Sequence, residues 1–138
     1  MALSIQECRS DQAEAVLDLW RLAEATPSVT DSAENIRRAS RASSVCFLVA
    51  QADGQVIGSV IGTFDGWRGN IYRLAVRPDY RRQGIARALV AEVEKRLTEK
   101  GAERITALVE KEHSWAMEFW QAVGYTLDHR IARHVRNL

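Results

Sequence analysis

The stretch from Asn70 to Glu110 constrains this chain more than any other. It begins with the strand-like run NIYRLAVR (Asn70–Arg77) and a proline turn at Pro78. Ile85, Ala86, Leu89, Val90, Val93 and Leu97 then recur at helical spacing as far as Gly101, a good C-terminal stop. A second strand pattern, RITALVE (Arg104–Glu110), follows at once. A full helix between two strands is long enough for a crossover, so the two are expected to pair in parallel with a right-handed connection.

The remaining patterns arrange themselves around that unit. VCFLVAQA (Val45–Ala52) suits a buried strand, and Asp53-Gly54 supplies a tight hairpin into QVIGSVIGTF. The loop DGWRG then leads to Asn70, which makes strands two to four an antiparallel meander. Upstream, LSIQEC (Leu3–Cys8) alternates as a first strand. Ala13, Val16, Leu17, Trp20 and Ala23 mark one helical face, ended by Pro27, and Asp31 is expected to cap a second helix containing Ile36. Downstream, Trp115, Ala116, Phe119, Trp120 and Val123 trace a last helical stripe stopped by Gly124, with Trp115 and Trp120 expected in the core. The tail from Tyr125 to Val135 reads as two final strands with a turn near His129 and Arg130. The fold class is α/β (α+β), with a mixed, mostly antiparallel sheet around a central parallel β-α-β unit, in one domain spanning residues 1–138.

Composition removes several classes. Nineteen Lys and Arg against eighteen Asp and Glu give a formal charge of +1, so no global field draws nucleic acid. No apolar run reaches the roughly 18 residues of a membrane span. Cys8 and Cys46 lie in apolar stretches and are expected to be reduced core thiols of a cytoplasmic protein. No His, Cys, Asp and Glu cluster has metal-ligand spacing, so no metal is expected, and the chain is expected as a monomer or homodimer.

The helix opening near Gly84 has no Ser, Thr, Asp or Asn between Tyr80 and Ala86 to cap it. It is ringed instead by Arg81, Arg82 and Arg87. Bare amides, the positive end of the helix dipole and guanidinium groups converge on a phosphate or pyrophosphate. The Gly-Lys-Ser/Thr end of a nucleotide-triphosphate loop is absent, and Gly84 alone does not make a three-glycine dinucleotide fingerprint. The alternative is an arginine-rich solvated turn.

Arg81-x-x-Gly84-x-Ala86, opening a helix after LAVRPDY, resembles the acetyl-coenzyme A signature Gln/Arg-x-x-Gly-x-Gly/Ala of the GNAT N-acetyltransferases. The order of elements and the later FWQAVGY extend the resemblance over essentially the whole chain. It implies a sheet splayed between strands four and five to admit acetyl-CoA. It also implies a pyrophosphate held by the motif, here Arg81, Arg82, Gln83, Gly84, Ile85, Ala86 and Arg87, and a pantetheine arm along Leu74, Ala75 and Val76. His113 stands where family members commonly carry a cofactor-facing Asn. The implied reaction is direct attack of a primary amine, of a small molecule, peptide or protein, on the thioester, with a backbone N–H of strand four, Val76 above all, at the oxyanion.

The sequence departs from the family at two catalytic positions. Trp120 replaces a Tyr that protonates the leaving thiolate, and an indole N–H does not serve as an acid near neutrality. In the branch acting on ribosomal N-termini a fifth-strand Glu is the base; here that position is Leu108. Glu110 is the substitute base, with a solvated carboxylate paired to Lys111 or an arginine as its alternative. Tyr72 is a second catalytic candidate, against a role in packing on the strand face of Leu74 and Val76. Trp67 and Arg68 either line an acceptor pocket or cover the sheet edge. These departures keep a second class open, a catalytically silent CoA-binding module of the same fold.

Overall fold

A computed structural model describes residues 2–138. One sheet of five strands, β1 (Leu3–Glu7), β2 (Val45–Ala52), β3 (Gln55–Phe64), β4 (Gly69–Val76) and β5 (Ile105–Ala107), runs in the order of the chain. The first four strands are antiparallel, and β5 joins β4 in parallel after helix α3 (Ile85–Lys100), the β-α-β unit that the sequence demands. Asp53 and Gly54 turn the β2–β3 hairpin with φ of 53° and 75°, the left-handed pair such a two-residue loop requires.

Helices α1 (Ala13–Leu22) and α2 (Ala33–Arg41) cover one face, where Val16, Leu19, Trp20 and Ile36 pack on Phe47, Val49 and Ala75. Helix α3 covers the other with Leu89, Val90, Val93 and Leu97, joined by Trp120 of α4 (Ser114–Ala122). The seat for α3 is cut by the glycines of β3: a Cβ at Gly62 would fall 2.4 Å from Val93 Cγ2, and one at Gly58 3.1 Å from Leu89 Cδ1. Bare backbone lets the helix lie flush on the sheet, and this fixes where its N-terminus points. Cys8 and Cys46 are both free and buried, in the clusters on opposite faces of the sheet. Burial is the main cause that raises both thiol pKa values, Cys8 to about 11.

Several local expectations are corrected. Helix α1 ends at Leu22, with Glu24 in the left-handed region at φ 60°, well before Pro27. The α2 cap is Ser32, whose Oγ accepts from Asn35 N–H at 3.1 Å, because Asp31 is drawn into an ion pair with Arg73. Strand β5 is only three residues long, and among the described residues no strand follows α4. Tyr125 is tied into the core by its hydroxyl, which donates to Glu94 of α3 at 2.8 Å, and the rest of the tail is mostly exposed. Trp120 is buried edge-on against Phe119 and Tyr125, but Trp115 is 43% exposed. No helix among the described residues is long and apolar enough to cross a membrane.

Candidate active site

Two regions meet at the end of the β4–β5 pairing. The first is the start of α3. Gly84 is the N-cap residue, at φ 79°, with no side-chain cap. Arg82, at φ 63°, is also left-handed. Arg81 N–H closes the preceding 3-10 turn on Pro78 O at 3.4 Å, and the helix ladder resumes with Ala88 N–H on Gly84 O at 3.0 Å. Among the described residues none of the amides from Arg82 to Arg87 donates to the chain. A Cβ on Gly84 would meet nothing within 4 Å, so the approach to these amides is open. Arg82 and Arg87 are exposed, whereas Arg81 lies against Trp115 with its Cζ 4.8 Å from the ring centroid. Arg81 Nε is buried and has no partner. Unpaired amides, an open glycine and an orphaned guanidinium nitrogen fit a pyrophosphate-bearing ligand such as acetyl-CoA.

Strand β4 leads into that region through an irregularity. Ile61 of β3 faces Tyr72, but Ser59 faces Ala75, so β4 carries one extra residue between them, and Arg73 takes a left-handed φ of 53°. The bulge corrects the expected face of Tyr72: it shares the side of Ile61 and Ala75, toward α1 and α2, while Leu74 and Val76 lie toward α3. The β4–β5 pairing ends at Ile71 and Ala107, with a last bond from Leu108 N–H to Ile71 O at 3.2 Å. Arg77 N–H reaches back to Ile57 O at 2.8 Å. Amides alternate sides along a strand, so Val76 N–H points away from β3 into the gap beyond β5, and Ala75 N–H points toward β3.

The second region is a cleft of about 1360 Å³ that includes Trp20, Tyr72, Leu74, Leu108, Glu110 and His113 in its wall. Ala75 and Arg68 also line it, but Val76, Trp67 and Arg81 to Arg87 do not; Trp67 is 74% exposed beside Arg68. The wall is held by a chain of polar contacts around the loop before α2. Arg73 Nη2 donates to both Asp31 carboxylate oxygens at 2.8 Å and to Thr26 O at 3.0 Å. Its guanidinium lies 5.1 Å from the Trp20 ring centroid. Trp20 Nε1–H donates to Ser59 Oγ at 2.9 Å, and that hydroxyl donates to Arg73 O at 3.3 Å. The bulge and the loop are therefore one bonded unit.

Glu110 grips the same loop from the other side. Its Oε1 accepts from Thr26 N–H at 3.0 Å and its Oε2 lies 2.9 Å from His113 Nε2. The expected alternative partner, Lys111 or an arginine, is replaced by an imidazole and a backbone amide. Sequence reading missed Thr26, Asp31, Ser59 and Arg73 as site residues. The usable signal was Arg73 itself, a charge inside an apolar central strand, which needs a partner to be buried there.

The sequence matches the Acetyltransferase (GNAT) family over residues 11–125. An acetyltransferase of Pectobacterium atrosepticum is 34% identical over 123 residues, 89% of this chain and 87% of that protein. One of Sodalis glossinidius is 33% identical over 129 residues, covering 94% and 91%. Among solved structures, the PaiA N-acetyltransferase of Thermoplasma acidophilum in complex with coenzyme A superposes with a TM-score of 0.85 at 20% identity, over 93% of this chain and 92% of that one. The aminoglycoside N-acetyltransferase AAC(6')-Iy, bound to a CoA bisubstrate analogue, gives 0.79 at 20% identity over the full length of both. The chain belongs to the GNAT family and is an acyltransferase.

Proposed function

We propose that the protein, as one domain over residues 1–138, transfers an acetyl group from acetyl-CoA to a primary amine by direct attack. The row of unpaired amides from Arg82 to Arg87 at an open glycine carries this reading. Those amides hold the pyrophosphate, with Arg81, Arg82 and Arg87 supplying charge, and β4 presents Leu74 to Val76 to the pantetheine arm. Acetyl-CoA supplies the activated acyl group. Val76 N–H, free and directed into the gap, stabilises the oxyanion. The amine occupies the cleft, where Glu110 and His113 provide acid–base chemistry and Tyr72 lines the wall. A lysine side chain of pKa about 10.4 costs roughly 4.6 kcal/mol to deprotonate at pH 7, an α-amine of pKa about 8 only about 1.4, so weakly basic amines are favoured acceptors. Trp120, packed by two aromatic rings, offers the leaving sulfur no acid. The thiolate, of pKa near 8.5 by analogy with cysteine, leaves without one. The buried, separated thiols agree with a reducing cytoplasmic setting.

Two measurements test the proposal. CoA at about 100 times its dissociation constant should add roughly 2.7 kcal/mol of stability, read as a rise in melting temperature. Thiol release from acetyl-CoA against a panel of amines should show turnover. An unmoved melt at millimolar CoA overturns the cofactor site. Binding without release from any amine favours the silent module.

A further inference from the structure

We infer that the acceptor is an amine whose far end carries an anion, a carboxylate or a phosphate, held by Arg68 and Arg104 where β4 and β5 begin. This rests on the acetyl-transfer reading above and names the chemical class of its acceptor. Gly69 and Ile105 are the first partners of the parallel β4–β5 register, and Gly69 N–H donates to Arg104 O at 3.0 Å. Arg68 and Arg104 therefore stand side by side, each one residue before that pair. Ile105 packs toward α3, so Arg104 takes the opposite face, the one that carries the cleft, and both arginines line it. Among the described residues neither guanidinium is in an ion pair. Arg68 lies on the Trp67 ring with its Cζ 4.4 Å from the centroid, which leaves the in-plane N–H fork free to donate. Like charges on neighbouring strands repel, and an anion between them removes that cost. Two carboxylates are close enough to feel these arginines but are committed elsewhere. Asp65 accepts the backbone amides of Trp67 and Arg68 at 2.9 and 2.7 Å, and Asp128 pairs with Arg130 at 3.1 Å.

The rest of the cleft leans the same way. Arg38, Lys111 and Arg133 also line it and are in no ion pair among the described residues. Of its acids, Asp31 is paired with Arg73 and Glu110 holds Thr26 N–H, which leaves Glu24 and Glu112 to set against those cations. In a chain of formal charge +1 this positive field is local to the cleft. The phosphates of the cofactor do not account for it, because α3 begins beyond one end of β4 and the arginines lie at the other. The strand from Arg104 to Leu108, where the ladder to β4 ends, is about 13 Å long at roughly 3.3 Å per residue. Uncharged Tyr72, Thr106 and Leu108 line the stretch between. An extended peptide of about four residues separates its α-amine from its terminal carboxylate by the same span. Such an α-amine is also the weakly basic kind that the transfer favours.

The test uses the intact protein saturated with CoA and needs no turnover. By calorimetric titration, tetraglycine should bind about tenfold or more tightly than tetraglycinamide, which lacks only the terminal charge, and the gap should narrow as salt is raised. Replacing the last glycine by aminomethylphosphonate tells the two anions apart: tighter binding than tetraglycine marks a phosphate site, weaker binding a carboxylate site. Arg68→Gln and Arg104→Gln should each bring tetraglycine down toward tetraglycinamide without weakening CoA. Equal affinity for the two peptides, tighter binding of the polycation spermidine, or no detectable tetraglycine binding at tens of millimolar overturns the inference while the cofactor site stands. A protein that binds no CoA overturns the acetyl-transfer reading and this one with it.

Discussion

The start of α3 and the cleft wall sit side by side but are built from opposite materials. The first is backbone: amides freed by a missing cap, opened by Gly84 and Arg82 in left-handed conformations. The second is side chains, with Trp20, Ser59, Arg73, Asp31, Thr26, Glu110 and His113 bonded across five different elements and loops. A backbone site can serve one ligand through many sequences. A side-chain network can be retuned residue by residue, so the acceptor proposed for the cleft should be the more variable partner.

The most severe way to break this contrast is Gly84→Val. A side chain there stands over the open amides and should remove several charge-assisted hydrogen bonds, about 1.5 to 3 kcal/mol each, from CoA binding. The left-handed φ of 79° also strains any β-branched residue, so the fold itself should lose about 1 to 2 kcal/mol. Calorimetric titration of CoA into the folded variant reads the larger effect, and unchanged affinity would return the motif to an arginine-rich solvated turn.

A smaller effect is expected on the other side. Asp31→Ala leaves the Arg73 guanidinium, at 17% side-chain exposure, without its anion. Breaking a fully buried pair costs about 3 to 5 kcal/mol, and partial exposure brings the expectation nearer 2. Urea unfolding should show that loss with CoA affinity nearly intact. If CoA binding falls as far as stability does, the two regions are not separable. The smallest effect belongs to Arg82→Ala. An exposed guanidinium should contribute about 1 kcal/mol or less to CoA binding, and the difference should shrink as salt is raised from low to physiological strength.

The same contrast explains what the sequence disclosed. The uncapped start of α3 lies in one contiguous stretch, so periodicity and the missing cap were enough to place it at Gly84. The meander and the crossover were equally legible, because Asp53-Gly54 and Gly101 punctuate them with conformations few residues adopt. Arg73 hid the bulge, since an arginine at φ 53° sends no signal of the kind a glycine would, and the face of Tyr72 was misread as a consequence. Asp31 looked like a cap because it precedes a helix, and only the approach of β4 from forty-two residues away decides otherwise. The tail alternates well enough for strands, yet alternation supplies no neighbour to pair with.

The two cysteines have a practical consequence at the bench. Each is 6% exposed, and burial holds both thiols largely protonated at neutral pH, Cys8 with a pKa of about 11. A chromogenic disulfide reagent consumes thiolate, not thiol, and must reach the sulfur. Coenzyme A set free in solution meets both conditions, so its colour should develop promptly while the native chain adds only a slow baseline. Unfolding the protein in denaturant should release two further equivalents of colour per chain. The untouched sequence is thus its own blank for the assay that identifies its acceptor.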